Sequence, residues 1–166
     1  MLSQEIACQD QCCKLVSKPY LNRLCKRRQP MRKAGILFFD PQTHKILLVQ
    51  SKGNFWGIPK GTSESNETVT ECAIREVWEE TGLQVDSKQL IHRFDVYNQA
   101  TYFFITLPET KVKIPDHEDN DANGIGWIKI QCLHDLINRG TIKINHHTRL
   151  CVSYFLQKNL YRNKDL

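Results

Sequence analysis

The chain has 166 residues, is 40% hydrophobic and carries a formal net charge of +5. That length and apolar content support one domain with its own core. The longest apolar run, near Ala34 to Phe39, is too short to cross a bilayer, and the N-terminus has no charged-then-apolar signal pattern, so neither a membrane contact nor secretion is expected and a cytoplasmic or nuclear location is.

The charge is unevenly placed. Residues 1–33 hold eight Lys and Arg against two acids, a net +6, while the remainder holds fifteen against sixteen, a net −1. The basic arm includes Lys26-Arg27-Arg28 and Arg32-Lys33, and such a segment attracts polyanions by releasing their counterions. A basic tail with no specific partner is the plainer alternative. Residues 1–32 are accordingly read as a basic N-terminal segment, with a short helix around Tyr20 to Lys26 ended by Pro30, and residues 33–166 as the folded domain. Cys8, Cys12, Cys13 and Cys25 cluster near the N-terminus, among seven cysteines in all. They lack the two C-x-x-C knuckles of a zinc site, so reduced thiols are the expectation, with Cys72 in the core.

From Lys33 to Phe39 the sequence reads as a strand, Asp40-Pro41-Gln42-Thr43 as a turn, and Lys45 to Gln50 as the returning strand of a hairpin. Phe55-Trp56-Gly57-Ile58-Pro59-Lys60-Gly61 is a loop with glycines on both sides of a rigid proline, where backbone can approach a ligand closely. Thr68 to Thr81 reads as a helix opened by a T-x-x-E capping signal (Thr68 and Glu71) and closed by Gly82. Ile91 to Tyr97 and Thr101 to Leu107 suit two strands joined by residues 98–100. Ile125 to Ile130 is another strand, and Leu133 to Asn138 a short helix. A final helix begins after Asn145 with Leu150, Cys151, Tyr154 and Phe155 inward. Strands interleaved with two major helices predict an α/β/α sandwich with a mixed sheet.

The acidic residues of the long helix carry the chemistry. On a wheel of about 100° per residue, Glu79 and Glu80 fall about 60° and 40° either side of Glu76. Val69, Cys72, Ala73 and Leu83 share that sector, so the carboxylates interrupt an apolar stripe. Ile74, Val77 and Trp78 form a second apolar side, which predicts burial on more than one flank. Carboxylates crowded on a partly buried face repel one another and lose hydration. Hard divalent cations, Mg²⁺ or Mn²⁺, compensate an all-oxygen cluster of this kind. Arg75, four residues before Glu79, can pair with it and fix its direction. A carbonyl near Lys60 or Gly61 could complete a metal shell, and Lys60 could reach a phosphate oxygen. A second acidic cluster, Asp116, Glu118, Asp119 and Asp121, precedes the strand at Ile125.

Gly61, Glu67, Arg75-Glu76-Val77-Trp78-Glu79-Glu80-Thr81-Gly82-Leu83 together resemble the box of the Nudix hydrolase superfamily, with no gap and no missing position. A chance match in a given register has a probability on the order of 10⁻⁹. The resemblance covers roughly residues 33–140 and implies the same α/β/α sandwich. It also implies hydrolysis of a diphosphate linkage by water, with Mg²⁺ or Mn²⁺ held by Glu76, Glu79 and Glu80, which act as ligands or base, and with Glu67 a more peripheral metal ligand in some members and structural in others. In many members a loop carboxylate swings over the metals; here Asp121 looks equivalent and Glu118 competes with it. Lys60, Trp56 and Arg75 are the expected substrate contacts, although packing under the loop is the alternative for Trp56. The words W-G-I-P-K-G and C-A-I-R-E-V-W-E-E-T-G look most like the mRNA-decapping branch. That branch implies a capped RNA substrate, release of 7-methyl-GDP and 5′-monophosphate RNA, and an RNA body held by the basic arm. Aromatics such as Tyr20 or Phe55, if exposed, could stack on a base, with core packing the favoured alternative. The alternatives are a dinucleoside polyphosphate or diphosphoinositol polyphosphate hydrolase and, from another class, a catalytically silent RNA-binding module. No obligate protein partner is evident. His146 and His147 are unassigned and are expected as an exposed pair at a helix start.

Overall fold

A computed structural model describes residues 3–20, 32–53, 55–116 and 120–160. Its elements in chain order are β1 (Gln4–Ala7), β2 (Lys14–Ser17), β3 (Lys33–Asp40), β4 (Lys45–Ser51), β5 (Phe55–Gly57), β6 (Lys60–Thr62), α1 (Val69–Thr81), β7 (His92–Val96), β8 (Ala100–Thr106), β9 (Ala122–Lys129), α2 (Ile130–Asn138) and α3 (His146–Gln157). The strands form one sheet in the order β1-β2-β9-β4-β3-β8-β7, with β5 added to β4 and β6 to β3. β3 and β8 run parallel, while their neighbours pair antiparallel, so the sheet is mixed.

β3 is buried on both faces, because successive side chains of a strand point to opposite sides. Ala34, Ile36 and Phe38 join Leu47, Val49, Phe103 and Ile105 against Cys72, Ala73 and Val77 of α1. Leu37 and Phe39 join Ile46, Leu48, Tyr102 and Phe104 against Leu133 and Leu136 of α2 and Cys151 and Phe155 of α3. The result is the expected α/β/α sandwich. Burial of each large apolar side chain contributes about 1.5–3 kcal/mol.

Two expectations need correction. The domain does not begin at residue 33: β2 pairs with β9 from Lys14↔Trp127 to Ser17↔Gly124, and β1 pairs with β2. Residues 4–17 are therefore part of the sheet. Leu15 and Cys13 are buried, and these few apolar positions sit among polar ones, a signal too short to stand out as strands. The helix expected around Tyr20 to Lys26 lies almost wholly outside the described residues. The second correction concerns α1, whose Trp78 is 47% exposed. Only the Cys72, Ala73 and Val77 side is covered by the sheet, and Ile74 is half-buried.

The β3–β4 turn shows how a buried charge is accommodated. Asp40 is 2% exposed. Its carboxylate accepts the Thr43 hydroxyl (2.6 Å) and the N–H groups of Gln42 (2.8 Å) and Glu109 (3.1 Å). Burial alone would raise its pKa, but these donors more than offset that and hold it below the ordinary aspartate value. The stabilisation is therefore present above the unfolded-state pKa and is lost as pH falls through the lowered folded value. Asp40→Ala is expected to cost about 2 kcal/mol at neutral pH in urea unfolding, because two part-buried hydrogen bonds from backbone N–H groups to a charged acceptor, and that from the Thr43 hydroxyl, are lost. The deficit relative to wild type should shrink in acid.

Candidate functional site

Helix α1 starts and stops where its sequence dictates. The Thr68 side chain accepts from the Glu71 N–H, Glu71 returns the contact to the Thr68 backbone, and Gly82 closes the helix in the left-handed region at φ 73°. Its apolar residues dock on β3, and the same side carries Glu76 and Glu80 to β6. There Gly61 is required: a Cβ at this position would lie 1.9 Å from the Glu76 carboxyl. The Glu80 carboxylate accepts the Lys60 N–H at 2.8 Å.

Arg75 organises the remaining acids. Its Nε and Nη2 grip the two oxygens of Glu67 (2.7 and 2.9 Å). Nη1 reaches Glu76 (3.0 Å) and Glu79 (3.1 Å), and Nη2 also donates to the Thr62 carbonyl (3.1 Å). A guanidinium has five N–H donors, and these hydrogen bonds engage all of them. Arg75 pairs with Glu79 as expected, and it lines the cleft with its donors committed to protein acceptors. Glu67 is held by Arg75 and by the Glu64 N–H (3.0 Å), and it does not line the cleft around Glu76. In this arrangement Glu67 anchors Arg75.

The cleft has a volume of about 690 Å³ and gathers Gly61, Glu76, Glu79, Glu80 and Asp121 with Lys33, Lys52, Lys60, Phe55, Asn120, Asn145, His146 and His147. Asp121 lies in it as expected, with its carboxylate 3.3 Å from the Lys52 ammonium. Asn120 donates to the Glu79 carbonyl at 2.6 Å and fixes that loop to α1. Glu118 lies outside the described residues. Trp56 corrects a further expectation: it is 1% exposed and belongs to the core beneath the loop. The residue before it, Phe55, faces the cleft and is 44% exposed, as strand alternation requires.

Lys33, Lys52, Asn145 and the two histidines were not legible as site residues. Asn145 caps α3 with its side chain on the Thr148 N–H, so the helix start could be read locally. Its place beside the cleft could not, because that depends on a bridge between Trp56 and Ile144 across 88 residues. His147 is half-buried, with Nδ1 2.9 Å from the Tyr102 hydroxyl. Burial, and then Lys33, Lys60 and His146, lower its pKa.

The electrostatics of the carboxylates fit a divalent cation. Burial raises the Glu80 pKa to about 8; Lys60 opposes the rise, and Glu76 and Asp121 add to it. Burial also raises Glu76, against the pull of Arg75 and with a further push from Glu79. The donor set is all oxygen, which suits Mg²⁺ or Mn²⁺ over softer ions. Three carboxylates next to one fully engaged guanidinium leave negative charge that a cation would relieve.

With that geometry in place, comparison with known proteins identifies the class. Residues 29–147 match the family model of the NUDIX domain, and the chain belongs to that family, whose hydrolases work with divalent metal ions. It is 37% identical over 139 residues to "Putative hydrolase 111R" of Invertebrate iridescent virus 3, covering 79% of this chain and 80% of that one. It is 45% identical over 106 residues to the m7GpppN-mRNA hydrolase dcap-2 of Caenorhabditis elegans, covering 60% of this chain but only 14% of that one. A bifunctional NMN adenylyltransferase/ADP ribose pyrophosphatase from Francisella tularensis, solved with AMP and a Mn ion, shares the fold at a TM-score of 0.59. Its identity is 18%, covering 81% of this chain and 43% of that one.

The raised Glu80 pKa has a sign that can be measured. Between the ordinary glutamate value of about 4.3 and the folded value of about 8, the folded state holds the extra proton, so stability falls as pH rises through that window. In chelator-treated protein the melting temperature should drop across it. Glu80→Gln should flatten the drop, and added Mg²⁺ should reverse it in wild type. A wild-type profile as flat as that of the variant would contradict the assignment.

Proposed function

We propose that the protein hydrolyses the triphosphate bridge of capped RNA, releasing 7-methyl-GDP and a 5′-monophosphate RNA. The observation that carries this reading is the composition of the cleft: carboxylates on α1, three lysines from separate parts of the chain, and an exposed Phe55 together. Such a cleft suits a polyphosphate with a planar base at one end.

Glu76, Glu79 and Glu80, with the Gly61 carbonyl, would hold Mg²⁺ or Mn²⁺, which when bound neutralises phosphate oxygens and acidifies coordinated water. Lys33, Lys52 and Lys60 attract and orient the phosphates as point charges. Phe55 offers a face for the base, a contact worth about 1–3 kcal/mol. Two carboxylates are the candidates to take the proton from the attacking water. Glu79 gives Oε2 to Arg75, leaving Oε1 for the proton. Asp121 is the second, in the loop fixed by Asn120. The new bond joins the water oxygen to phosphorus, and the bond to the leaving phosphate oxygen breaks. Support for RNA over a free nucleotide comes from the relatives' names and from the basic segment, whose Lys26-Arg27-Arg28 lies outside the described residues.

Cap-labelled RNA with Mn²⁺ tests the reading. Labelled 7-methyl-GDP should appear, and Glu80→Gln should lower kcat by at least about 100-fold, the scale of removing one electrostatic stabiliser from a transition state. Glu79→Gln and Asp121→Asn, compared side by side, assign the base. Much faster turnover of diadenosine tetraphosphate would overturn decapping and leave a small-molecule diphosphate hydrolase.

Replacing Lys26, Arg27 and Arg28 by Gln probes the arm separately. The slope of log affinity for RNA against log salt should become shallower by about 0.7 for each phosphate the arm no longer neutralises. An unchanged slope would remove the arm from RNA binding.

A further inference from the structure

A second candidate metal site stands apart from the acidic cleft. The Sγ atoms of Cys8, Cys12, Cys13 and Cys132 all lie within 4.8 Å of one another. Cys12 Sγ is the hub, 3.4 Å from Cys8, 3.5 Å from Cys13 and 3.6 Å from Cys132. Each of the four is a free cysteine, and Cys8, Cys13 and Cys132 are buried. A tetrahedron of thiolates around Zn²⁺, with Zn–S of about 2.3 Å, has edges of about 3.8 Å. The sulfurs therefore already stand close to the positions such an ion requires.

The fold brings them together from opposite ends of the sequence. Three belong to the turn joining β1 to β2. That turn is closed by the Gln11 N–H on the Cys8 carbonyl (3.0 Å) and the Cys8 N–H on the Cys13 carbonyl (3.3 Å), with Gln11 in the left-handed region at φ 53°. The fourth is in the first turn of α2, which follows directly from β9. Because β2 pairs with β9, with Lys14 opposite Trp127, the turn must sit where β9 passes into the helix. The Lys129 N–H points at Cys13 Sγ (3.1 Å), a contact that favours a thiolate. The ammonium of Lys45, whose strand partner is Lys129, is paired with Glu109 at 2.7 Å and also lies within electrostatic reach of Cys12 and Cys13.

Buried cysteines are often no more than small apolar residues. Packing alone does not explain four sulfurs converging on one point, with a backbone N–H aimed at one of them. We propose that Cys8, Cys12, Cys13 and Cys132 bind one structural Zn²⁺ that clamps the N-terminal hairpin to α2. Each thiol that ligates gives its proton to solvent, so loading releases up to four protons per ion. The spacing in the sequence argued against zinc because it lacks two C-x-x-C knuckles. The structure supplies Cys132 instead, and Cys25 lies outside the described residues.

The test uses the full chain expressed with zinc. Elemental analysis should find about one Zn²⁺ per protein, retained in a Glu76→Gln/Glu80→Gln double variant, which separates it from ions in the cleft. Exchange for Co²⁺ should give intense sulfur-to-cobalt charge-transfer bands, which a carboxylate site cannot produce. Cys12→Ser, at the least buried of the four, should abolish those bands, and Cys132→Ser should do the same. In wild type, Cys8, Cys12, Cys13 and Cys132, followed individually by mass mapping because Cys72 and Cys151 are buried in the core, should resist a thiol reagent until a chelator is added. Native wild type free of zinc, with all four thiols reactive or joined as disulfides, overturns the proposal. So does a zinc content that follows the glutamates and not the cysteines, and these wild-type measurements decide the matter even if a serine variant fails to fold.

Discussion

One guanidinium holds the acidic side of α1 in order. Glu67, Glu76, Glu79 and Glu80 crowd within a few turns of chain, and their mutual repulsion in a half-buried setting opposes folding. Arg75 connects the first three through four hydrogen bonds and ties them to the Thr62 carbonyl on β6 through a fifth. A lysine here would offer three donors from a single point and could not bridge the same acceptors. Glu80 is left to the Lys60 backbone and to its own burial. The division assigns distinct tasks to like side chains: Glu67 steadies the arginine, and Glu76, Glu79 and Glu80 are held where an ion would meet them.

The opposing charge comes from elsewhere in the fold. Lys33 opens β3, Lys52 follows β4 and Lys60 opens β6, so three strands that share no local sequence deliver their ammonium groups to one cleft. Burial lowers the Lys33 pKa, and Lys60 and Lys52 lower it further. Under the proposed function, their repulsion and that of the carboxylates would be relieved by different halves of one complex: a polyphosphate for the lysines, a cation for the glutamates. Each component would make the other easier to bind.

What the sequence made legible follows from how local each signal was. The caps of α1, the turn at Asp40 and the start of α3 at Asn145 are each set by neighbours within four residues, and all appear where expected. The carboxylates were legible because helical periodicity fixes their sector. Trp56 and Phe55 could not be separated, since which face of a short strand is buried depends on its partners. Trp78 was misplaced because an apolar residue on a wheel does not show whether anything packs against it. The role of Arg75 was half visible: the contact with Glu79 is intrahelical, whereas that with Glu67 needs the loop to fold back. Residues 4–17 escaped because their partner strand begins more than a hundred positions later.

That separation bears on how the chain acquires its shape during synthesis. The hairpin emerges from the ribosome before any other element of the sheet, yet β9, on which it must lie, emerges after β8. At about 5–20 residues per second, Leu15 and Val16 wait several seconds for a partner, with strand edges unpaired. Contacts this distant are slow to form and leave the early segment open to wrong pairings. The polar and charged residues along β1 and β2, among them Gln4, Glu5, Lys14 and Ser17, suit a segment that must stay dissolved until the last strand arrives.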